Sequence, residues 1–146
     1  MIRVSVQREA FDIAAEIGAL EASGVGALAT FTGIVRGGDG VTAIELEHYP
    51  GMTEASLSDI CEAAQERWAL TGCTIIHRVG RLDVGAPIVL VVTAAPHRAA
   101  ALEACAFLID RLKTDAPFWK REYRGDTALW VEQKASDVER GQDWDG

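Results

Sequence analysis

Short runs that alternate apolar with polar residues, glycine turns between them and three stretches of helical period predict an α+β fold with a largely antiparallel sheet. Ile2 to Val6 is the first alternating run and reads as a strand, and Phe11 to Ala22 follows as a short amphipathic helix capped by Asp12. Residues 26 to 36, GALATFTGIVR, form a long strand that ends in the turn Gly37-Gly38-Asp39-Gly40. Val41 to Tyr49 alternates again, so the two strands are expected to pair as a hairpin. Pro50-Gly51 breaks the chain before a helix over residues 53 to 70, with Leu57, Ile60, Cys61, Ala64 and Trp68 at helical spacing. Residues 73 to 80, CTIIHRVG, give a strand, Arg81 to Pro87 a turn, and Ile88 to Ala95 a strand apolar enough to be central. A third helix starts near His97 and runs to about Lys113, with Cys105, Leu108, Ile109 and Leu112 as its core stripe. Beyond Pro117, Phe118 to Tyr123 and Ala128 to Glu132 make a second hairpin around Arg124-Gly125-Asp126-Thr127. The sum is three helices and about six or seven strands in one domain over residues 1–135, followed by an acidic, flexible tail over 136–146.

At 146 residues the chain is long enough to build a hydrophobic core without metal or disulfide staples. Cys61, Cys73 and Cys105 are odd in number, widely spaced and set in apolar stretches, as expected of buried thiols in a reducing compartment. His48, His77 and His97 show no ligand spacing with them, so no metal and no cofactor is expected. No leader opens the chain and no apolar run reaches spanning length, which predicts a cytoplasmic protein without a membrane partner. A net charge of -8 argues against nucleic acid, whose phosphates need a basic field. The cations are nevertheless grouped: Arg36, His97, Arg98, Lys113, Lys120 and Arg121 fall near predicted element ends, and a local cationic pocket on an acidic body suits a small anion.

The decapeptide Lys113 to Glu122, KTDAPFWKRE, sets two lysines on either side of an apolar Pro-Phe-Trp step. Proline fixes its own φ and bars the preceding residue from the helical region, so a helix should end here and a strand should leave through Phe118. Two amines then face one pocket from two elements. Lysine placed near other cations or partly buried has a lowered pKa and serves as nucleophile or proton donor. Arg36 is delivered by an apolar strand to a glycine loop, where its planar fork fits phosphate or carboxylate. His97-Arg98 follows Pro96 at the mouth of the third helix, where unsatisfied N–H groups attract anions. His77, mid-strand, reads as a core histidine and is given no role; His48 is a candidate to orient its neighbours. No nucleophile elbow, Walker or Rossmann pattern is present. The set suits an anionic substrate whose reaction needs proton transfer or amine chemistry.

With these residues in place, the chain resembles the MoaE family, the large, catalytic subunit of molybdopterin synthase. The likeness runs from Gly26 to Glu132 through FTGIVR at 31–36, LEHYPGMTE at 46–54, IHRVGRLDVG at 76–85, PHRAAALEA at 96–104, RLKTDAPFWKRE at 111–122 and WVE at 130–132. It implies an α/β hammerhead fold with an inserted hairpin subdomain. The implied activity is a sulfurtransferase that converts cyclic pyranopterin monophosphate to molybdopterin, inserting two sulfurs from the C-terminal thiocarboxylate of a small ubiquitin-like, MoaD-like subunit. It further implies a homodimer of large subunits with a small subunit at each end, and pockets shared between the two copies. Lys113 and Lys120 match the lysines at the reaction centre; Arg36, His97 and Arg98 match substrate-holding residues; Phe31 and Glu122 match positions lining or supporting the pocket. Leu102, Ile109 and Asp115 depart from the family pattern. The first two conserve volume, whereas Asp115 is expected to pair with Lys113 and raise its pKa. Two rival classes are a binding module that docks a ubiquitin-like tail without chemistry, and a Schiff-base lysine enzyme acting on a phosphorylated aldehyde.

Overall fold

β-branched and aromatic runs fall into eight strands and the helical-period stretches into three helices in the computed structural model, which describes residues 1–131 and Trp144. The expected flexible tail therefore lies, apart from Trp144, outside the described residues, as does Glu132. The elements are β1 (Ile2–Gln7), α1 (Ile13–Leu20), β2 (Ala27–Ile34), β3 (Ala43–His48), α2 (Met52–Trp68), β4 (Gly72–Arg78), β5 (Gly80–Asp83), β6 (Pro87–Ala95), α3 (Arg98–Asp115), β7 (Phe118–Arg124) and β8 (Thr127–Val131). They build an α+β fold of two four-stranded sheets, ordered β1-β4-β6-β2 and β5-β3-β7-β8. Every pairing is antiparallel except β1 with β4.

The first sheet is buried on both faces, which is why β4 and β6 read as nearly continuous apolar runs. Cys73, Ile75, Val89 and Val91 point to α2 and α3, where Leu57, Ile60, Cys61, Ala64, Leu108 and Leu112 meet them. Ile76, Leu90 and Val92 point the other way, onto Leu20 of α1. That alternation follows from the period of two along a strand. Asp12 caps α1 as expected, accepting from the Ala15 N–H at 3.1 Å. A third, smaller core of Val35, Ile44, Leu46, Val79 and Leu82 joins the two sheets.

Two expectations need correction. The strands on either side of Gly37 to Gly40 do not form a hairpin: β2 pairs with β6, and β3 pairs with β5 and β7. A single bridge, Gly38 to Val41, is all that links them among the described residues. The turn before β6 separates them, because Val35 N–H donates to the Ala86 carbonyl at 2.9 Å while Val84 N–H donates to the Thr42 carbonyl at 3.2 Å. The alternating pattern specified strands without specifying partners. Second, part of the expected turn at Arg81 to Pro87 is the short strand β5, reached through Gly80 at φ 87°. Only a residue tolerant of positive φ allows the chain to leave one sheet and enter the other there. The second hairpin is present, with Arg124 opposite Thr127 and Gly125 at φ 62° in the turn.

Candidate active site

α3 ends where the sequence requires. Asp115 is its last residue, Ala116 is extended at φ -84°, ψ 129°, and β7 starts at Phe118. The Phe118 N–H donates to the Ala116 carbonyl at 3.0 Å, closing a three-residue turn centred on Pro117 whose fixed φ suits an inverse γ-turn. Lys113 stands exposed in the last turn of α3, and Lys120 half-buried on β7 between Leu46 and Val131. Lys120, Glu122 and Phe118 share the face of β7 that turns toward the buried Ile44 and Leu46 of β3. Glu122 is held by Arg124, 3.3 Å away. On the opposite face, Arg121 lies 3.7 Å from Glu45 and 4.4 Å above the Trp130 ring.

Asp115 does not take the expected partner. Its carboxylate is engaged by Arg111 at 3.4 Å, one helical turn back, and by the Thr114 hydroxyl at 3.0 Å. The i,i+4 geometry brings Arg111 and Asp115 to the same side of the helix, whereas Lys113 projects elsewhere.

The remaining predicted residues divide between two ends of the molecule. β6 runs from Pro87 to Ala95 and α3 returns across it, so Lys113 lies at the Pro87 end. β2 finishes at that end, Ile34 facing Pro87, and Arg36 follows, exposed beside the glycine turn. His97 and Arg98 are at the other end. His97 is the extended N-cap of α3, and both side chains are exposed. Arg98 and Lys113 are about 22 Å apart along the helix axis at about 1.5 Å per residue, too far for both to touch one reacting group within a single chain. Phe31 lies between the ends. It is 38 % exposed on the edge strand β2 and lines a groove with Leu102, Cys105 and Ile109 of α3.

His77 is buried in the core, as its mid-strand position predicts. Its ring is buried at 5 % exposure and stacks on Phe118 with centroids 4.0 Å apart. Burial pushes its pKa down to about 4, and the charges of Lys113 and His48 push in the same direction, so the ring is neutral at physiological pH. A titratable residue inside a strand buried on both faces was the available signal of this shift. The cysteines behave as read: hydrogen bonding with Cys73 and burial hold the Cys61 thiol far above its ordinary range, and burial pushes Cys105 up to about 11. Neither is a thiolate nucleophile. Among the described residues, no cluster of His, Cys, Asp and Glu could hold a metal ion, and no helix is long and apolar enough to cross a membrane.

Known proteins share the fold and much of the sequence. The family model described as MoaE protein matches residues 6–115. This chain belongs to the MoaE family. Among its relatives, the molybdopterin synthase catalytic subunit of Vibrio cholerae is 49% identical over 98% of both chains. That of Brucella melitensis is 50% identical over 99% of this chain and 91% of its own. Of solved structures, molybdopterin cofactor biosynthesis protein E from Burkholderia multivorans superposes with a TM-score of 0.87 at 43% identity, covering 100% of this chain and 98% of that one. Molybdopterin synthase from Staphylococcus aureus gives 0.83 at 30% identity over 88% and 96% of the two chains. The family model ends at Asp115, whereas the likeness to these relatives and structures extends over most or all of the chain.

Proposed function

We propose that this chain is the catalytic subunit of a molybdopterin synthase, a sulfurtransferase that inserts two sulfurs into cyclic pyranopterin monophosphate. The sulfurs come from the C-terminal thiocarboxylate of a small ubiquitin-like subunit. The observation that carries the reading is the Pro117 turn, which sets Lys113 and Lys120 on two different elements flanking one bend. Both ligands are anions, and oriented cations at a partly desolvated site stabilise charge that develops during transfer. The thiocarboxylate sulfur bonds to a side-chain carbon of the pterin, which joins tail and substrate as a thioester. Water then adds to the acyl carbon while Lys113 donates to its oxygen; the acyl C–S bond breaks, the sulfur stays on the pterin and the tail leaves as a carboxylate. Lys120 is assigned to proton transfer at the pterin and its opening phosphate ring. Arg36 holds the substrate phosphate from the same end of the sheet, Phe31 lines the pocket and Glu122 supports it.

His97 and Arg98 are assigned to the site of a second copy, which makes the working unit a homodimer carrying one small subunit per site. Their separation from Lys113 supports this, as does the edge strand β2, which carries exposed Phe31 in a groove with Leu102 of α3 and exposed Ile34 at its end. Residues 1–135 are read as the single catalytic domain and the chain as cytoplasmic. The test mixes the protein with thiocarboxylated small subunit and the cyclic pterin phosphate. Dithiolene product is expected, and its absence would refute the assignment. Lys113→Ala and Lys120→Ala made separately should each abolish product, and borohydride should trap no lysine adduct.

A further inference from the structure

The bend between the two lysines is gripped from outside by two residues to which neither the fold nor the proposed chemistry has yet given a task. Thr53 of α2 is fully buried, an expensive place for a hydroxyl unless both its hydrogen-bonding roles are filled. They are filled: it accepts from the Tyr49 N–H at 2.8 Å and donates to the Pro117 carbonyl at 3.0 Å. His77 of β4 grips the next residue. Its ring lies on Phe118 with planes 23° apart and centroids 4.0 Å apart. Its Nδ1 is 2.8 Å from the Arg78 carbonyl oxygen, and because a carbonyl only accepts, Nδ1 carries the proton and the ring orientation is fixed.

We propose that Thr53 and His77 form a two-point clamp on Pro117-Phe118 and are positioning residues that set Lys113 and Lys120 against one substrate. The proposal rests on the reading of those lysines as the reacting pair. The clamp comes from α2 and β4, which belong to the layer of the first sheet, whereas Lys120 rides on a strand of the second. The clamp adds two directed contacts to the γ-turn, the pairing of Phe118 with His48 and the packing of Ala116 and Phe118 against the core, none of which alone fixes the orientation of the bend. The titratable groups that face His77 are Lys113 of α3 and His48 of β3, and His48 is itself 3.8 Å from Glu54 of α2. A neutral ring stacks there without adding a further charge beside the amine.

The test uses the assembled complex with thiocarboxylated small subunit and cyclic pterin phosphate, at matched folded fraction. Thr53→Val keeps the shape and loses the hydroxyl, and His77→Ala loses the ring. Each is expected to lower kcat about 100-fold, the effect of displacing a reacting group by about 1 Å, with KM changed only a few-fold. Thr53→Ser and His77→Phe keep the hydroxyl and the stack and should return kcat to within a few-fold of the parent. Lys113→Ala and Lys120→Ala are measured alongside. If they retain activity, the catalytic reading of the lysines is lost. If they are inactive while Thr53→Val and His77→Ala keep full kcat, or change KM alone, the clamp is refuted with that reading intact. Failure of Ser or Phe to rescue also overturns it. Should His77→Ala not fold, the Thr53 pair decides.

Discussion

Mixing two inactive variants tests whether the site is shared between copies. Lys113→Ala removes an amine at the C-terminal end of α3, and Arg98→Ala removes a guanidinium at its N-terminal end. Along the axis these groups are about 22 Å apart, against the roughly 3 Å that separates reacting atoms in a productive complex. In a shared-site dimer, each site takes its lysine from one copy and its arginine from the other. Each variant alone damages both sites, and loss of an electrostatic contact of this kind costs on the order of 100-fold or more in rate. A mixed dimer carries both lesions in one site and none in the other. Random exchange makes about half of the dimers mixed, so about a quarter of the sites should recover full activity. The assay is dithiolene formation with excess thiocarboxylated small subunit, after the two variants are unfolded and refolded together or co-expressed with different tags. Activity no higher than the mean of the two parents would refute the shared site and require His97 and Arg98 to act elsewhere. Rescue on mixing Lys113→Ala with Lys120→Ala would refute it equally, since each site takes both lysines from one copy and no site of the mixed dimer would carry the pair intact.

Four further perturbations follow from the geometry. His77 has a folded pKa of about 4 against about 6.5 when unfolded, so the unfolded chain binds more protons between these values and stability falls as pH falls through that window. Denaturant unfolding should show about 2 kcal/mol less contribution from this residue at pH 5 than at pH 7, a difference His77→Phe should erase. Asp12→Ala removes the α1 cap and should cost about 1 kcal/mol of stability by urea unfolding with kcat unchanged, since α1 lies on the sheet face away from the lysines. Trp144→Phe removes the indole N–H donated to Asp110 at 2.7 Å and should cost about 2 kcal/mol, the usual worth of a bond to a charged group, read by the same unfolding. Gly26→Ala drives its new methyl into the Pro96 carbonyl, so the backbone before His97 must shift; lower thermal stability and weaker substrate binding are expected, by scanning calorimetry and KM.

Much of the fold was legible because the local signals were strong. Asp12 before an apolar period, Pro50-Gly51 before another, and Pro117 after a third placed all three helices near their observed limits. The pairing of β2 and β3 was not legible, because alternation states that a segment is a half-buried strand and carries no information about its neighbour. β5 was missed because four residues beginning with a glycine lack the length to show a period. At the site, proximity in sequence singled out the two lysines, placement at element ends singled out Arg36, His97 and Arg98, and the family motifs then matched all five. Thr53 and His77 stayed hidden because their contacts with Pro117 and Phe118 cross from distant parts of the chain.

From the residues alone came the class of the fold, the stop of α3 at Ala116 and the start of β7 at Phe118, since steric limits at X-Pro act within a few bonds. So did the grouping of cations near element ends, which is a matter of local sequence on a chain whose net charge is -8. Tertiary structure decided which cations meet. An 18-residue α3 places its ends too far apart for a common target, Asp115 finds Arg111 and Thr114, and the lysine bend is gripped by a threonine and a histidine from separate elements. These outcomes depend on how elements pack across the sheet, and packing is settled by side chains that lie far apart in the chain.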